Sequence, residues 1–350
     1  MRSGVTLPPP PEPEPLAPPL PPPPVQTPLI RGEVPGYVLT SAMAQQMGTA
    51  SLGTFHERRG DQSLLDNLGI ATAAWGRVFG GTHDQSWSST VAGPNYQLAP
   101  EIDGDIWGLQ VGLDLIAYES GWGQERLGLF YTHADASGSV YGNTLAIVGN
   151  RAGSLSLQGD SIGGYWTHIG PTGWYLDAVA MYTWLGGSTS SIQGVGIDTD
   201  GNAIVASLEG GVPFTIADNW TLEPQAQPIW QRVDFDDTRD LYSAIDFQSF
   251  DAFTGRLGLR LEGTTVVQGA VWQPFISVDL WHTFSQSSDV VFNGTNVGTE
   301  LEGTSLEVRG GVSIRLTPTV AAFGSVDYTT GLSGETQRSV GGNLGIRVRW

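Results

Sequence analysis

No cysteine occurs in the 350 residues, which removes disulfides, zinc–thiolate sites and cysteine nucleophiles. That absence suits a chain that crosses an oxidising compartment unfolded without forming wrong bridges. No run approaches the roughly eighteen consecutive apolar residues that a membrane-spanning helix needs, so a helical membrane protein is excluded. Positive charge is scarce: 16 Lys+Arg against 35 Asp+Glu give a formal net charge of −19 and a pI near 4.4. This balance argues against nucleic-acid binding, which depends on basic side chains displacing counterions from phosphates. Acidic loops at a cell surface fit better. Met1 to Pro10 carry no charged-then-apolar leader, so the expectation is a part of a longer precursor. Glycine, by contrast, is abundant at 48 residues, about twice its usual share, as many turns and tightly curved strands require.

From about Trp75 to Trp350 the chain reads as some twelve short stretches of alternating apolar and polar residues. The connections alternate in length. Short ones fall at Glu119 to Gly123, Gly170 to Gly173, Ala217 to Asn219, Thr264 to Gly269 and Thr317 to Thr319. Wider gaps fall at about Asp84 to Gly104, Ala134 to Gly153, Gly187 to Asp200, Asp234 to Asp251 and Ser285 to Gly303, with a smaller one at Gly331 to Thr336. Tight turns on one rim, long loops on the other and an even strand number are the plan of a bacterial outer-membrane barrel.

Alternation is clearest where Leu257, Leu259 and Leu261 interleave with Arg256, Gly258, Arg260 and Glu262. The same holds for Leu306, Val308, Val312, Ile314 and Leu316, and for Leu344, Ile346, Val348 and Trp350. A soluble sandwich also alternates, because successive side chains on any strand point to opposite faces. In a barrel the apolar set faces lipid and the charged set lines a wet lumen, and about ten residues per strand cross the bilayer. Nine tryptophans, Trp107, Trp122, Trp174, Trp184, Trp220, Trp230, Trp272, Trp281 and Trp350, fall mostly near expected strand ends, where interfacial girdles place them. The fold class expected is therefore all-β: a 12-stranded antiparallel transmembrane β-barrel. Its lumen-lining charges are Asp114, Asp177, Glu209, Glu223, Arg256, Arg260, Asp279, Arg309, Arg315 and Arg347. Charges so enclosed persist only when paired or wet.

Upstream, Pro8 to Pro28 are proline at more than half of their positions, which favours an extended polyproline II spacer. Thr40 to Arg59 contain no proline and lie between Pro35–Gly36 and Gly60, which predicts one helix there. Twenty residues of helix span about 30 Å, close to the hydrocarbon thickness. Ala42, Ala44, Gly48, Ala50, Ser51 and Gly53 make it slender, and the apolar residues form no single stripe. A slender helix fits inside a narrow tube, with Ala44, Gly48, Ser51 and Phe55 as the plug. Expected boundaries are 1–36 for the Pro-rich linker, 37–70 for the lumen helix and 71–350 for the barrel.

A proline tether, one helix and twelve strands ending in an aromatic residue resemble the translocator unit of type V autotransporters, especially the pertactin-like branch. The resemblance is carried by YVLTSAMAQQMGTASLGTFHERRG (Tyr37 to Gly60), AWGRVFGG (Ala74 to Gly81), GLQVGLDL (Gly108 to Leu115) and GWYLDA (Gly173 to Ala178). Further matches are LEPQAQ (Leu222 to Gln227), GRLGLRL (Gly255 to Leu261), QPFISVDLWHTF (Gln273 to Phe284) and ELEGTSLEVRGGVS (Glu300 to Ser313). The resemblance implies a barrel in the bacterial outer membrane and a helix that plugs its lumen. It further implies an upstream tether facing the cell surface and a passenger domain exported there. Implied partners are outer-membrane lipids, lipopolysaccharide and the outer-membrane barrel assembly machinery, with the barrel a monomer. Gly345, Val348 and Trp350 resemble the family's C-terminal assembly signal, whereas Leu344 occupies a slot that is usually polar. Some members cleave their chain inside the barrel at an asparagine pair in the lumen helix; this helix has no asparagine, and the nearest is Asn67. No self-cleavage is expected. The alternative reading is a free-standing porin or adhesin barrel that acts through its loops.

Catalytic look-alikes carry little. Gly159, Ser161 and Gly163 match a G-x-S-x-G elbow but lie in continuous strand rather than on a strand-to-helix turn. His56 lacks a second histidine at zinc-helix spacing, and His83, His133, His168 and His282 are scattered. Asp198 to Asn202 and Asp234 to Asp240 are oxygen-rich but lack a calcium-loop pattern. Arg59-Gly60-Asp61 reads as a chance tripeptide. No enzyme activity, cofactor or metal is expected.

Overall fold

The computed structural model describes residues 29–60, 63–66, 71–284, 287–334 and 336–350. The proline run Pro8 to Pro28, Asp61 and Asn67 lie outside them.

Twelve strands close into one antiparallel barrel: β1 (Ala73–Ser86), β2 (Glu101–Ser120), β3 (Gly123–Thr144), β4 (Ile147–Ile169), β5 (Tyr175–Ser191), β6 (Gly196–Gly211), β7 (Trp220–Phe235), β8 (Phe250–Gly263), β9 (Ala270–Thr283), β10 (Gly303–Arg315), β11 (Val320–Ser333) and β12 (Gln337–Arg349). Each pairs with its chain neighbours, and β1 seals the ring against β12 from Ala73↔Arg349 to Gln85↔Gln337. Closure is what lets strands cross lipid, because it leaves no unpaired edge. Outward residues are apolar, as Leu109, Val111, Leu113, Leu257, Leu259, Val278, Leu344 and Ile346 show. Aromatics mark both rims: Trp122, Trp220 and Trp350 at the tight-turn side, Trp107, Trp184 and Trp230 toward the other. Trp281 differs, because it stands inside under the Arg256 guanidinium.

The wide gap read from Ala134 to Gly153 is not a loop. β3 and β4, of 22 and 23 residues, run on as a ladder to a two-residue turn at Leu145–Ala146, both at positive φ. Serines and glycines on both faces hide this extension from a hydrophobicity reading, yet backbone pairing continues into water. Three other wide connections pair with each other. Ser88–Val91, Tyr96–Gln97, Thr238–Arg239, Ala244–Phe247, Ser287–Phe292 and Thr295–Glu300 form a separate six-stranded sheet, which we call the cap.

The single helix expected over Thr40 to Arg59 is two. α1 (Val34–Leu52) starts six positions earlier, with Pro35 inside its first turn, where a missing N–H costs nothing. α2 (Phe55–Arg59) follows a break at Gly53, whose φ is +60°. A Cβ on Gly53 would sit 2.7 Å from the Arg77 guanidinium nitrogens. Thr54 caps α2: it accepts the Glu57 N–H while Glu57 accepts the Thr54 N–H at 2.7 Å. This T-x-x-E capping box restarts the helix in a new direction. A four-residue turn, α3 (Ser63–Asp66), leads toward β1.

Candidate functional site in the barrel lumen

α1 is buried on nearly every side, from Val34 to Leu52, which explains why no single apolar stripe is readable in it. It packs against β2 to β7 and against cap strands 287–292 and 295–300. Gly48 permits that approach, since a Cβ there would stand 2.6 Å from Gln231 Oε1. Ala44 and Ser51 are buried beside it, and Phe55 stacks on Tyr175 at 4.3 Å.

A helix ending inside a barrel leaves its last carbonyls without partners, and α1 has no basic residue in its last turn. The wall and α2 supply the donors. Arg77 Nη2 donates to the carbonyls of Ala50 (3.0 Å) and Ser51 (2.9 Å), Gln110 Nε2 to Ser51 (2.9 Å), and Arg58 Nη1 to Leu52 (3.2 Å). Two cations at the negative end of the helix dipole add electrostatic stabilisation.

α2 is then lashed to five different strands. The Phe55 N–H donates to Glu209 of β6 (2.8 Å), and His56 Nε2 meets Glu223 of β7 (2.8 Å). Glu57 pairs with Arg309 of β10 (2.9 Å), and Arg58 with Asp177 of β5. Arg59 Nη2 lies 2.9 Å from both oxygens of Asp114 on β2. Asp114 is a hub: it also accepts from the Tyr165 hydroxyl (2.6 Å), the Ala73 N–H (3.1 Å) and Arg126 (3.3 Å). Partners from this many strands make α2 a rigid floor, because no single side-chain rotation releases it.

The remaining expected lumen residues also point inward. Arg256 joins Glu209 (3.0 Å) and Asp279 (2.5 Å), Arg260 meets Glu262 (2.5 Å), and Arg315 donates to the Leu64 carbonyl (3.3 Å). Arg347 is 1% exposed. Missed in the sequence were Arg77, Gln110, Arg126 and Tyr165; the readable signal was their alternation with outward Val78, Leu109, Leu127 and Trp166. Ser161 lies within β4 and shares a hydrogen bond with Thr183 (2.9 Å). Arg59 of the tripeptide is buried in the lumen. Among the described residues no group of histidines and carboxylates could hold a metal.

Opposite the packed wall, β1 and β9 to β12 leave a chamber of about 310 Å³ beside α1. Arg309, Glu307, Asp327 and Thr329 line it, with Glu57 at its base. His83 Nε2 and Asn343 Oδ1 are buried with no hydrogen-bond partner among the described residues. At the other end of α1, the chain leaves the barrel at the cap. There Arg31 meets Asp240 (3.2 Å) and Ser243 Oγ (2.8 Å) and lies over the Tyr242 ring.

At the chain end, Val348 and Trp350 face outward at 36% and 63% exposure, whereas Gly345 faces the Phe323 ring. A Cβ on Gly345 would stand 2.2 Å from Phe323 Cζ, so the glycine has a packing reason independent of any signal.

A family profile described as autotransporter beta-domain matches residues 74–327. YdeU, an uncharacterised protein of Escherichia coli (strain K12), is 29% identical over 91% of this chain and 70% of its own length. The pertactin autotransporter of Bordetella bronchiseptica is 27% identical over 83% of this chain, which spans only 30% of that protein. Among solved structures, the transport unit of the autotransporter AIDA-I from Escherichia coli superimposes with a TM-score of 0.73 at 20% identity, covering 91% of this chain and 99% of that one. The chain therefore belongs to the autotransporter β-domain family, the outer-membrane translocator barrels of type V secretion.

Proposed function

We propose that this barrel exports a passenger attached upstream and then anchors it, with the chain ahead of α1 as a tether on the cell-surface side. α1 and α2 then occupy the lumen, and the twelve strands between Ala73 and Arg349 cross the membrane with the cap above it. The observation that carries this reading is the direction of the chain. α1 enters beneath the cap, on the rim of long hairpins, and α2 and β1 lie at the rim of tight turns, where Trp350 N–H also meets the Thr72 carbonyl. In outer-membrane barrels the tight-turn rim is periplasmic, so Leu29 and everything before it belong outside. A porin that acts through its loops has no use for a segment threaded through its own lumen.

Passenger identity aside, the chemistry of the lumen is holding, not reacting. Asp114, Asp177, Glu209, Glu223 and Asp279 are taken up by arginine, histidine or backbone N–H partners, and α1 and α2 contain no asparagine, so the passenger stays attached or is cut by another protein. Outside, the apolar wall and its aromatic girdles meet lipid and lipopolysaccharide. Gly345, Val348 and Trp350 present the closing strand to the assembly machinery, and the barrel works as a monomer. A signal peptide and an unstructured epitope tag fused ahead of Met1 test the export reading. The tag becomes accessible to antibody and protease on intact cells; a tag that stays protected while the barrel is correctly inserted overturns it.

A further inference from the structure

We infer that the six-stranded cap is a lid that closes only on a seated α1, an inference that rests on the export reading. The cap is assembled from three connections far apart in sequence, β1–β2, β7–β8 and β9–β10, and two seams hold it together. One is Ile245↔Phe292 to Phe247↔Val290, the other Val297↔Val91 to Glu300↔Ser88. Short strands with so few partners do not hold together without an apolar face to bury. The cap has such a face, formed by Val91, Ile245, Phe247, Val290, Phe292 and Val297, all buried.

α1 covers the part of that face on strands 287–292 and 295–300, while Phe247 packs on Phe235 of β7 at 5.7 Å. Val34, Tyr37, Val38 and Leu39 join the same buried cluster, and the Tyr37 ring stacks on Phe292 at 6.1 Å and 13°. Arg31 then ties the entering chain to the β7–β8 connection through Asp240 and Ser243. Take α1 away, and Phe292, Val290 and Val297 lose the cover it gives them, so the hydrophobic drive that pairs the seams is weakened. A passing polypeptide without an apolar stretch at this height supplies no substitute. The lid thus stays open while other sequence occupies the mouth and shuts when the last segment arrives, sealing the outer end of the lumen above the α2 floor. In population terms, α1 binds the closed arrangement of the loops and not the open one.

The cysteine-free chain allows a direct test. Ser88→Cys with Glu300→Cys spans the β1–β2/β9–β10 seam, where these two residues are paired. Ser154→Cys with Ser190→Cys spans β4 and β5, exposed and paired above the lipid, as a control. Each pair is oxidised in the full chain and in a Tyr37→Asp variant, and cross-linking is scored only in the folded, fast-migrating fraction. The lid predicts that Tyr37→Asp lowers cross-linking of the seam pair about tenfold and leaves the control pair unchanged. Equal seam cross-linking with and without the substitution overturns it. A hidden epitope tag together with α1-dependent closure would remove the export reading and keep the lid; a displayed tag with α1-independent closure would do the reverse.

Discussion

Arg59 of α2 places one guanidinium nitrogen 2.9 Å from both carboxylate oxygens of Asp114 on β2, with neither side chain reached by solvent. The pair joins the end of the lumen helix to the barrel wall near the tight-turn rim. Removing one partner of a buried pair costs about 3–5 kcal/mol, because the charge left behind has no compensation. Asp114→Ala also takes an acceptor from Arg126, the Tyr165 hydroxyl and the Ala73 N–H, so it is the more damaging change. Heating followed by unboiled gel migration should show the folded band lost at lower temperature in Asp114→Ala than in Arg59→Ala, with both below the parent.

The Gly345–Phe323 contact separates packing from signalling. Gly345→Ala should lower the same melting temperature, since the new methyl group meets the Phe323 ring and overpacking typically costs about 1–3 kcal/mol. Phe323→Leu in the Gly345→Ala background should recover part of the loss, the remainder being the contact of the new methyl group with the Gly76 carbonyl oxygen at 2.8 Å. Trp350→Ser removes an exposed rim aromatic and no packing partner of Phe323; it should reduce outer-membrane levels without changing synthesis. Normal insertion of Trp350→Ser would leave the assembly role without support.

Because α1 and α2 fill one side of the lumen, deleting residues 40–59 should raise single-channel conductance and sensitivity of cells to bulky antibiotics. A twelve-stranded wall encloses more than the filled interior of an eight-stranded barrel. Unchanged conductance in an inserted barrel would mean that the helix does not limit the path.

The clamp at the mouth has a pH signature. Burial opposes ionisation of Asp240, but the N–H groups of Tyr242 and Ser243 and the Arg31 guanidinium outweigh it and hold the carboxyl below its ordinary value. A carboxylate with a lowered native pKa contributes stability above its unfolded value, near 3.9, and loses it as pH falls through the native value. Hydrogen-exchange protection at Tyr242 and Ser243 should therefore be flat from pH 7 to about 5 and fall only under stronger acid. Asp240→Asn should weaken it at all these values.

Strand alternation made the barrel and its inward charges legible, because a period of two is a local signal that burial on one face enforces. Asp114, Asp177, Glu209 and Arg309 could be placed in the lumen from their neighbours Leu113, Leu176, Leu208 and Val308. Their partners could not, since Arg58 and Asp177 lie 119 residues apart and nothing local encodes the pairing. The α1–α2 break was written in Thr54-x-x-Glu57 but was masked by the absence of proline. The cap escaped because its strands are two to six residues long and pair across three connections, so each alone reads as a loop. The upper β3–β4 ladder escaped because Ser137, Gly138, Ser139 and Gly142 show no apolar face.

Two single cysteines measure the orientation of the threaded chain. Leu29→Cys lies at the mouth beside the cap, 74% exposed, and Trp122→Cys at a tight turn on the opposite rim, 82% exposed. Intact cells expressing each variant are treated with a membrane-impermeant maleimide, then lysed and treated again. Leu29→Cys should be labelled on intact cells and Trp122→Cys only after lysis. Labelling of Trp122→Cys on intact cells with Leu29→Cys protected would place the linker on the periplasmic side and contradict this orientation.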